Sequence, residues 1–170
     1  MNRWGPSVYG EPCRECGFAW STPYGEAVRL VAGLPAAYRS ALAGATGTER
    51  MPGLDWSVGA YVCHVGDNLR IWAERLMGVA SGASPEVGGY DQAALAAARH
   101  YEQIPLGAAR WSLERSVDDW LDAVGRWPRE GTALIHPERG ALTLVDVAAA
   151  NAHDALHHEW DIRRILGREE

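Results

Sequence analysis

Lysine is absent from this chain: all 16 of its cationic side chains are arginine. Against 22 acidic residues these leave a net charge of −6, and no basic run exists to hold a nucleic acid by its phosphates. No apolar stretch approaches the roughly 20 residues that a membrane span requires, and the polar N-terminus lacks the apolar core of a secretory signal. The expectation is a cytoplasmic protein with neither a nucleic-acid nor a membrane partner. Three cysteines among 170 residues cannot build a disulfide framework. Phenylalanine occurs once, so eight tryptophans and six tyrosines supply the aromatic bulk. The missing lysine, with abundant Ala and Gly, points to a high-GC genome of the actinobacterial kind.

What is present is the composition of one ordinary soluble domain, 47% hydrophobic and 22% charged, long enough to bury a real core. Residues 1–21 read as an irregular N-terminal arm holding Cys13, Cys16 and the aromatics Tyr9, Phe18 and Trp20. Helical signals start with Thr22 as N-cap and Pro23 at the first helical position and run to about Leu42, with Pro35 as an internal kink or break. Ser57 caps a second helix over 58–77, where Val58, Tyr61, Val62, Val65, Leu69, Trp72 and Leu76 form an apolar stripe of helical period. A third helical region opens at Asp91, reaches about Tyr101, and restarts after Pro105 up to Gly125, with Trp111, Leu113, Val117, Trp120, Leu121 and Val124 as its apolar face. The 128–140 segment reads as irregular, with a small hairpin turning at Pro137–Gly140. The last helix begins at Thr143, with Asp146 three residues on, and reaches about Leu166 before Gly167. Four long amphipathic helices make an all-α, antiparallel four-helix bundle over 22–166.

The chemistry concentrates in Asn-Ala-His-Asp-Ala-Leu-His-His-Glu-Trp. His153 and His157 stand one helical turn apart, about 6 Å from each other on one face, close enough to share a divalent ion. His64 lies near the start of the second helix. Should the second and last helices be neighbours, three imidazoles converge and leave coordination positions open, as in catalytic rather than structural sites. Such a set suits Zn, Ni, Cu, Fe or Mn better than Mg or Ca, which prefer oxygen. The plainer alternative is a histidine pair that is simply exposed or satisfied in the core.

His158, about 100° around the helix from His157, reads as a partly exposed polar residue outside that ion's reach. His100 and His136 read as surface or loop residues. Asp67, i+3 to His64, and Asp161, i+4 to His157, are placed to orient ligand imidazoles, although Asp161 pairs equally well with Arg163 or Arg164. Cys13-Arg-Glu-Cys16-Gly resembles half of a zinc knuckle. It reads as two loosely placed thiols, a redox dithiol, a disulfide, or a separate metal site completed by a distant His, Cys63 or another subunit. The tryptophans read mainly as core, with Trp160 at a pocket mouth as the alternative.

The sequences Trp-Ser-x5-His-Val-x-Asp-Asn at 56–68 and Leu-Thr-Leu-Val-Asp-Val-x5-His-x3-His at 142–157 resemble the DinB/YfiT-like superfamily of four-helix-bundle metalloenzymes. That family takes one histidine from its second helix and an H-x-x-x-H pair from its last, which match His64, His153 and His157. The resemblance implies one divalent transition metal (Zn, Ni, Fe or Mn) and a small-molecule substrate. Several branches are thiol transferases in which the ion activates a low-molecular-weight thiol, with mycothiol expected in an actinobacterial cell. Maleylpyruvate isomerases of the family replace one histidine of the final pair with Glu, so that isomerisation is not implied here. The expectation is therefore a metal-dependent S-transferase of the mycothiol type. Its alternatives are a metal-dependent hydrolase and a non-catalytic, stress-associated metal-binding bundle. A homodimer through an exposed apolar face is expected of such bundles.

Overall fold

The computed structural model describes residues 4–127 and 132–168. Its helices are α1 (Pro6–Tyr9), α2 (Tyr24–Ala41), α3 (Val58–Ala80), α4 (Gln92–Ala98), α5 (Leu106–Arg126) and α6 (Leu144–Ile165), with a 3-10 turn at Tyr101–Gln103. Strands β1 (Leu134–His136) and β2 (Gly140–Leu142) pair antiparallel with Ile135 opposite Ala141, forming the hairpin expected before the last helix. Four long helices make the bundle, as the periodicity predicts; α1 adds one turn within the arm.

Local chemistry sets most boundaries. The Ser57 hydroxyl accepts from the Ala60 amide at 3.3 Å, and Asp91 accepts from the Ala94 amide at 3.0 Å. Thr143 and Asp146 cap α6 reciprocally: the Thr143 hydroxyl accepts from the Asp146 amide, and the Asp146 carboxylate accepts from the Thr143 amide at 2.8 Å. Thr22 does not cap α2 as expected. Its hydroxyl donates to the Ala19 carbonyl at 2.6 Å, and Pro23, extended at ψ 145°, stands just outside the helix. Pro35 lies inside α2 without dividing it.

The order of helices around the bundle positions the site. α3 packs against α5 and α6, and α2 packs against the same two, so the ring runs α2–α5–α3–α6. Consecutive long helices α2 and α3 therefore lie across a diagonal, as do α5 and α6. This crossover puts α3, with His64, beside α6. From Val58 to Leu69 every residue of α3 is buried, on all faces rather than along one stripe, because the loop before it and the 3-10 turn cover what α5 and α6 leave open. Gly59 lets the preceding loop close over α3: a Cβ there would stand 3.0 Å from the Gly47 carbonyl oxygen. Trp120 donates from its indole to Asn151 at 2.8 Å, and the Tyr38 hydroxyl donates to the Ala155 carbonyl at 2.7 Å, so α5 and α2 are each tied to α6. Trp111 is not core: it is 66% exposed. It lies two residues from Leu113, about 200° around α5, and faces away from the bundle.

Candidate metal centres

Helix α6 carries two overlapping i, i+4 pairs, His153/His157 and Asp154/His158, rotated about 100° from one another. They face different neighbours. Asp154 and His158 join His64 of α3, whereas His153 and His157 join Cys13 and Cys16 of the arm; within each group the ligand atoms lie within 4.8 Å of one another. The three histidines expected on one ion are thus divided between two candidate centres. The physical reason is the position of α6, flanked on one side by α3 and on another by the arm.

In the first centre, His64 is 1% exposed and its Nε2 has no hydrogen-bond partner. That nitrogen points at Asp154 Oδ1, 3.6 Å away, and His158 Nε2 approaches the same oxygen at 3.9 Å. The His64 and His158 rings meet edge-on at 4.9 Å, with Trp56 5.0 Å from His64 and Tyr61 5.1 Å from His158. Asn68 donates its amide to Asp154 Oδ2 at 2.7 Å, and the Tyr90 hydroxyl donates to Asn68 at 3.2 Å, so Oδ1 stays turned toward the imidazoles. Burial opposes the Asp154 charge, yet His64, His158 and the Asn68 amide outweigh it and hold the carboxyl well below the usual carboxylate range.

Asp161 Oδ2 lies 3.0 Å from His158 Nδ1, an arrangement that keeps the proton on Nδ1 and frees Nε2 for a ligand role. Asp161 thus attends His158 rather than His157, and its other oxygen pairs with Arg164 at 3.5 Å. Asp67 does not orient His64. It accepts from the Tyr101 hydroxyl at 2.5 Å and pairs with Arg99 and with Arg70 at 3.4 Å, tying α3 to the 3-10 turn. Asp154 lies outside the expected ligand set, and His158, expected as a partly exposed polar residue beyond the ion's reach, joins it here. Their signal was available, since they have the same spacing as the chosen pair, one residue along.

In the second centre, Cys13 Sγ stands 3.7 Å from His157 Nδ1, and Glu15 Oε2 stands 3.2 Å from His157 Nε2. Cys13 and His153 are buried, and His153 Nε2 has no partner. Burial pushes the His153 pKa down to about 4 and also lowers that of His157, so both rings are neutral near pH 7. Burial pushes the Cys16 thiol up to about 12. Cys63 is buried in the core, where burial likewise raises its thiol to about 12.

Beside Asp154 opens a cavity of about 380 Å3, whose lining includes Asn68, Tyr90, Asp154, Arg75, Arg139 and His136. Arg75 lies 4.6 Å and Arg139 5.8 Å from the Trp72 ring, so two guanidinium groups share one aromatic support. His136, expected in a surface loop, is buried and stacks on Trp72 at 6.1 Å. Among the described residues, no helix is long and apolar enough to cross a membrane.

No protein-family profile matches the chain, and no curated protein sequence matches it. Among solved structures it is similar to YfiT from Bacillus subtilis, described as a probable metal-dependent hydrolase with an unusual four-helix bundle topology. The TM-score is 0.71 at 16% identity, over 88% of this chain and 90% of that one. The likeness, together with the diagonal helix order, establishes that the chain has the four-helix-bundle fold of YfiT.

Proposed function

We propose that this chain is a divalent-metal-dependent enzyme acting on a small anionic substrate, with the ion held by His64, Asp154 and His158. The observation that carries this reading is the buried, partnerless Nε2 of His64, aimed at Asp154 Oδ1 from 3.6 Å. A buried polar atom left without a partner costs about 1–3 kcal/mol, a cost that a cation between these groups would remove. Two neutral imidazoles and a carboxylate form a donor set suited to Zn, Fe, Mn or Ni. A divalent ion there supplies Lewis-acid chemistry, lowering the pKa of a nucleophilic water or thiol and polarising an acceptor group.

The chain's own residues do the rest. Asp161 fixes the His158 ring, and the Tyr90–Asn68 pair fixes Asp154. One carboxylate against a dication leaves a net positive centre, and Arg75 and Arg139 add two positive charges to the adjoining cavity. A negatively charged molecule is therefore the substrate class that fits. Two nucleophiles are compatible with this arrangement. A low-molecular-weight thiol of the mycothiol type follows from the sequence resemblance, making the chain an S-transferase. Water, making it a hydrolase, is supported by the likeness to YfiT.

The test is metal content and turnover in wild type, His64→Ala and His158→Ala. Loss of about one equivalent of ion together with loss of turnover in both variants is the expected result. Acceptor consumption that requires added thiol identifies the transferase; consumption without it identifies the hydrolase. Unchanged metal content in both variants overturns the assignment of the ligands.

A further inference from the structure

We infer that Cys13, Cys16, His153 and His157 form a second, closed zinc site that fastens the N-terminal arm onto α6. Four potential ligand atoms, two sulfur and two nitrogen, lie within 4.8 Å of one another. On a tetrahedral zinc, with Zn–S about 2.3 Å and Zn–N about 2.0–2.1 Å, a sulfur and a nitrogen stand about 3.6 Å apart. The Cys13 Sγ to His157 Nδ1 separation is 3.7 Å. The second, independent sign is His153: the ring is 4% exposed and its Nε2 is buried with no partner.

The surroundings match a structural ion rather than a reacting one. Tyr9, Trp20 and Phe18 stand 4.6, 4.4 and 5.6 Å from the His153 ring and close it from water. Glu15 beside His157 Nε2 keeps the proton on that nitrogen and leaves Nδ1 facing Cys13. The cysteines sit on a tight turn: the Cys13 amide donates to the Phe18 carbonyl at 2.8 Å and the Gly17 amide to the Cys13 carbonyl at 3.0 Å, with Gly17 at φ +74°. Binding one Zn2+ releases the two thiol protons to solvent and leaves both imidazoles neutral, so the loaded site carries no net charge. A neutral site is the arrangement a buried position tolerates best.

The two centres stand back to back. A cavity of about 140 Å3 is lined by Tyr9 together with His153, Asp154, His157 and His158. Zinc on the arm thus holds Tyr9 as a wall beside the first centre. This inference does not rest on that centre's reactivity, and its failure would leave the proposed function intact.

The experiment is cobalt substitution for zinc in the full chain, wild type and His64→Ala. The expected result is strong thiolate-to-cobalt charge-transfer absorption and four-coordinate visible bands in both proteins, lost in Cys13→Ser and in Cys16→Ser. Should the cysteine variants fail to fold, alkylation of the wild type decides. Cys13 and Cys16 should react at least tenfold faster after zinc is chelated, while Cys63 in the core reports on any general unfolding. Absence of thiolate–cobalt absorption in wild type overturns the inference. So do alkylation rates indifferent to chelation, or a Cys13–Cys16 disulfide in protein prepared without oxygen.

Discussion

Two aspartates near histidines have opposite roles, and substitution should separate them. Asp161 touches His158 Nδ1, so its effect runs through a ligand ring. Asp161→Asn should weaken metal binding at the first centre by about 10–100-fold, read by competition with a chromophoric chelator, while leaving the thiol-bearing site loaded. Asp67 instead holds the Tyr101 hydroxyl, Arg99 and Arg70. Asp67→Ala leaves a buried hydroxyl without its acceptor and should cost about 2 kcal/mol in urea unfolding, with metal content unchanged. In sequence the two were equivalent neighbours of histidine. Only side-chain direction distinguishes them, and direction depends on what each helix packs against.

Helix α6 carries four of the seven candidate ligands, so its cap and its packing govern both centres. Thr143→Ala removes half of the reciprocal cap and should destabilise the protein by about 1 kcal/mol in denaturant unfolding, without loss of either ion, because His153 lies more than two turns away. The connection between α2 and α3 is held by Glu49, which accepts from the Thr46 amide at 2.6 Å and the Gly47 amide at 2.7 Å. Burial slightly opposes its charge, but these amides outweigh it and the pKa falls below the ordinary value. A depressed folded-state pKa contributes stability above the unfolded value of about 4.3, and that contribution is lost as pH falls through the lower folded-state value. Glu49→Gln should therefore lower the thermal midpoint at pH 7, and the difference from wild type should shrink progressively below about pH 4.

At the scale of the whole molecule, an ion at either proposed centre would cross-link parts far apart in the chain. Cys13 and His157 belong to opposite ends of the sequence, and His64 and Asp154 to opposite halves of it. An ion that binds only the folded chain stabilises it by mass action. Zinc at a thousand times its dissociation constant adds about 4 kcal/mol, or about 10 °C in the midpoint for a chain of this size. Chelation should lower the thermal midpoint by that order. Calorimetry with and without chelator checks it, and an unchanged midpoint would leave both ions without a structural role.

The elements were legible in the sequence because their causes are local. Ser57, Asp91 and the Thr143–Asp146 box each act within four residues, and apolar spacing repeats within single helices. The residue types of the sites were legible for the same reason: histidines at one-turn spacing, a C-x-x-C turn, carboxylates nearby. Their partnership was not. His153/His157 and Asp154/His158 share a spacing and differ only by about 100° of rotation, so choosing between them requires knowing which neighbour lies on each side of α6. That was decided by the diagonal crossing of the bundle, which brings α3 to one side, and by the folded-back arm, which brings two thiols to another. Local periodicity by itself determined a four-helix bundle whose last helix concentrates side chains able to ligate a metal. The division of that chemistry into two centres was decided only by tertiary packing, because ligand geometry depends on residues distant in sequence that only the folded chain brings within a few ångströms.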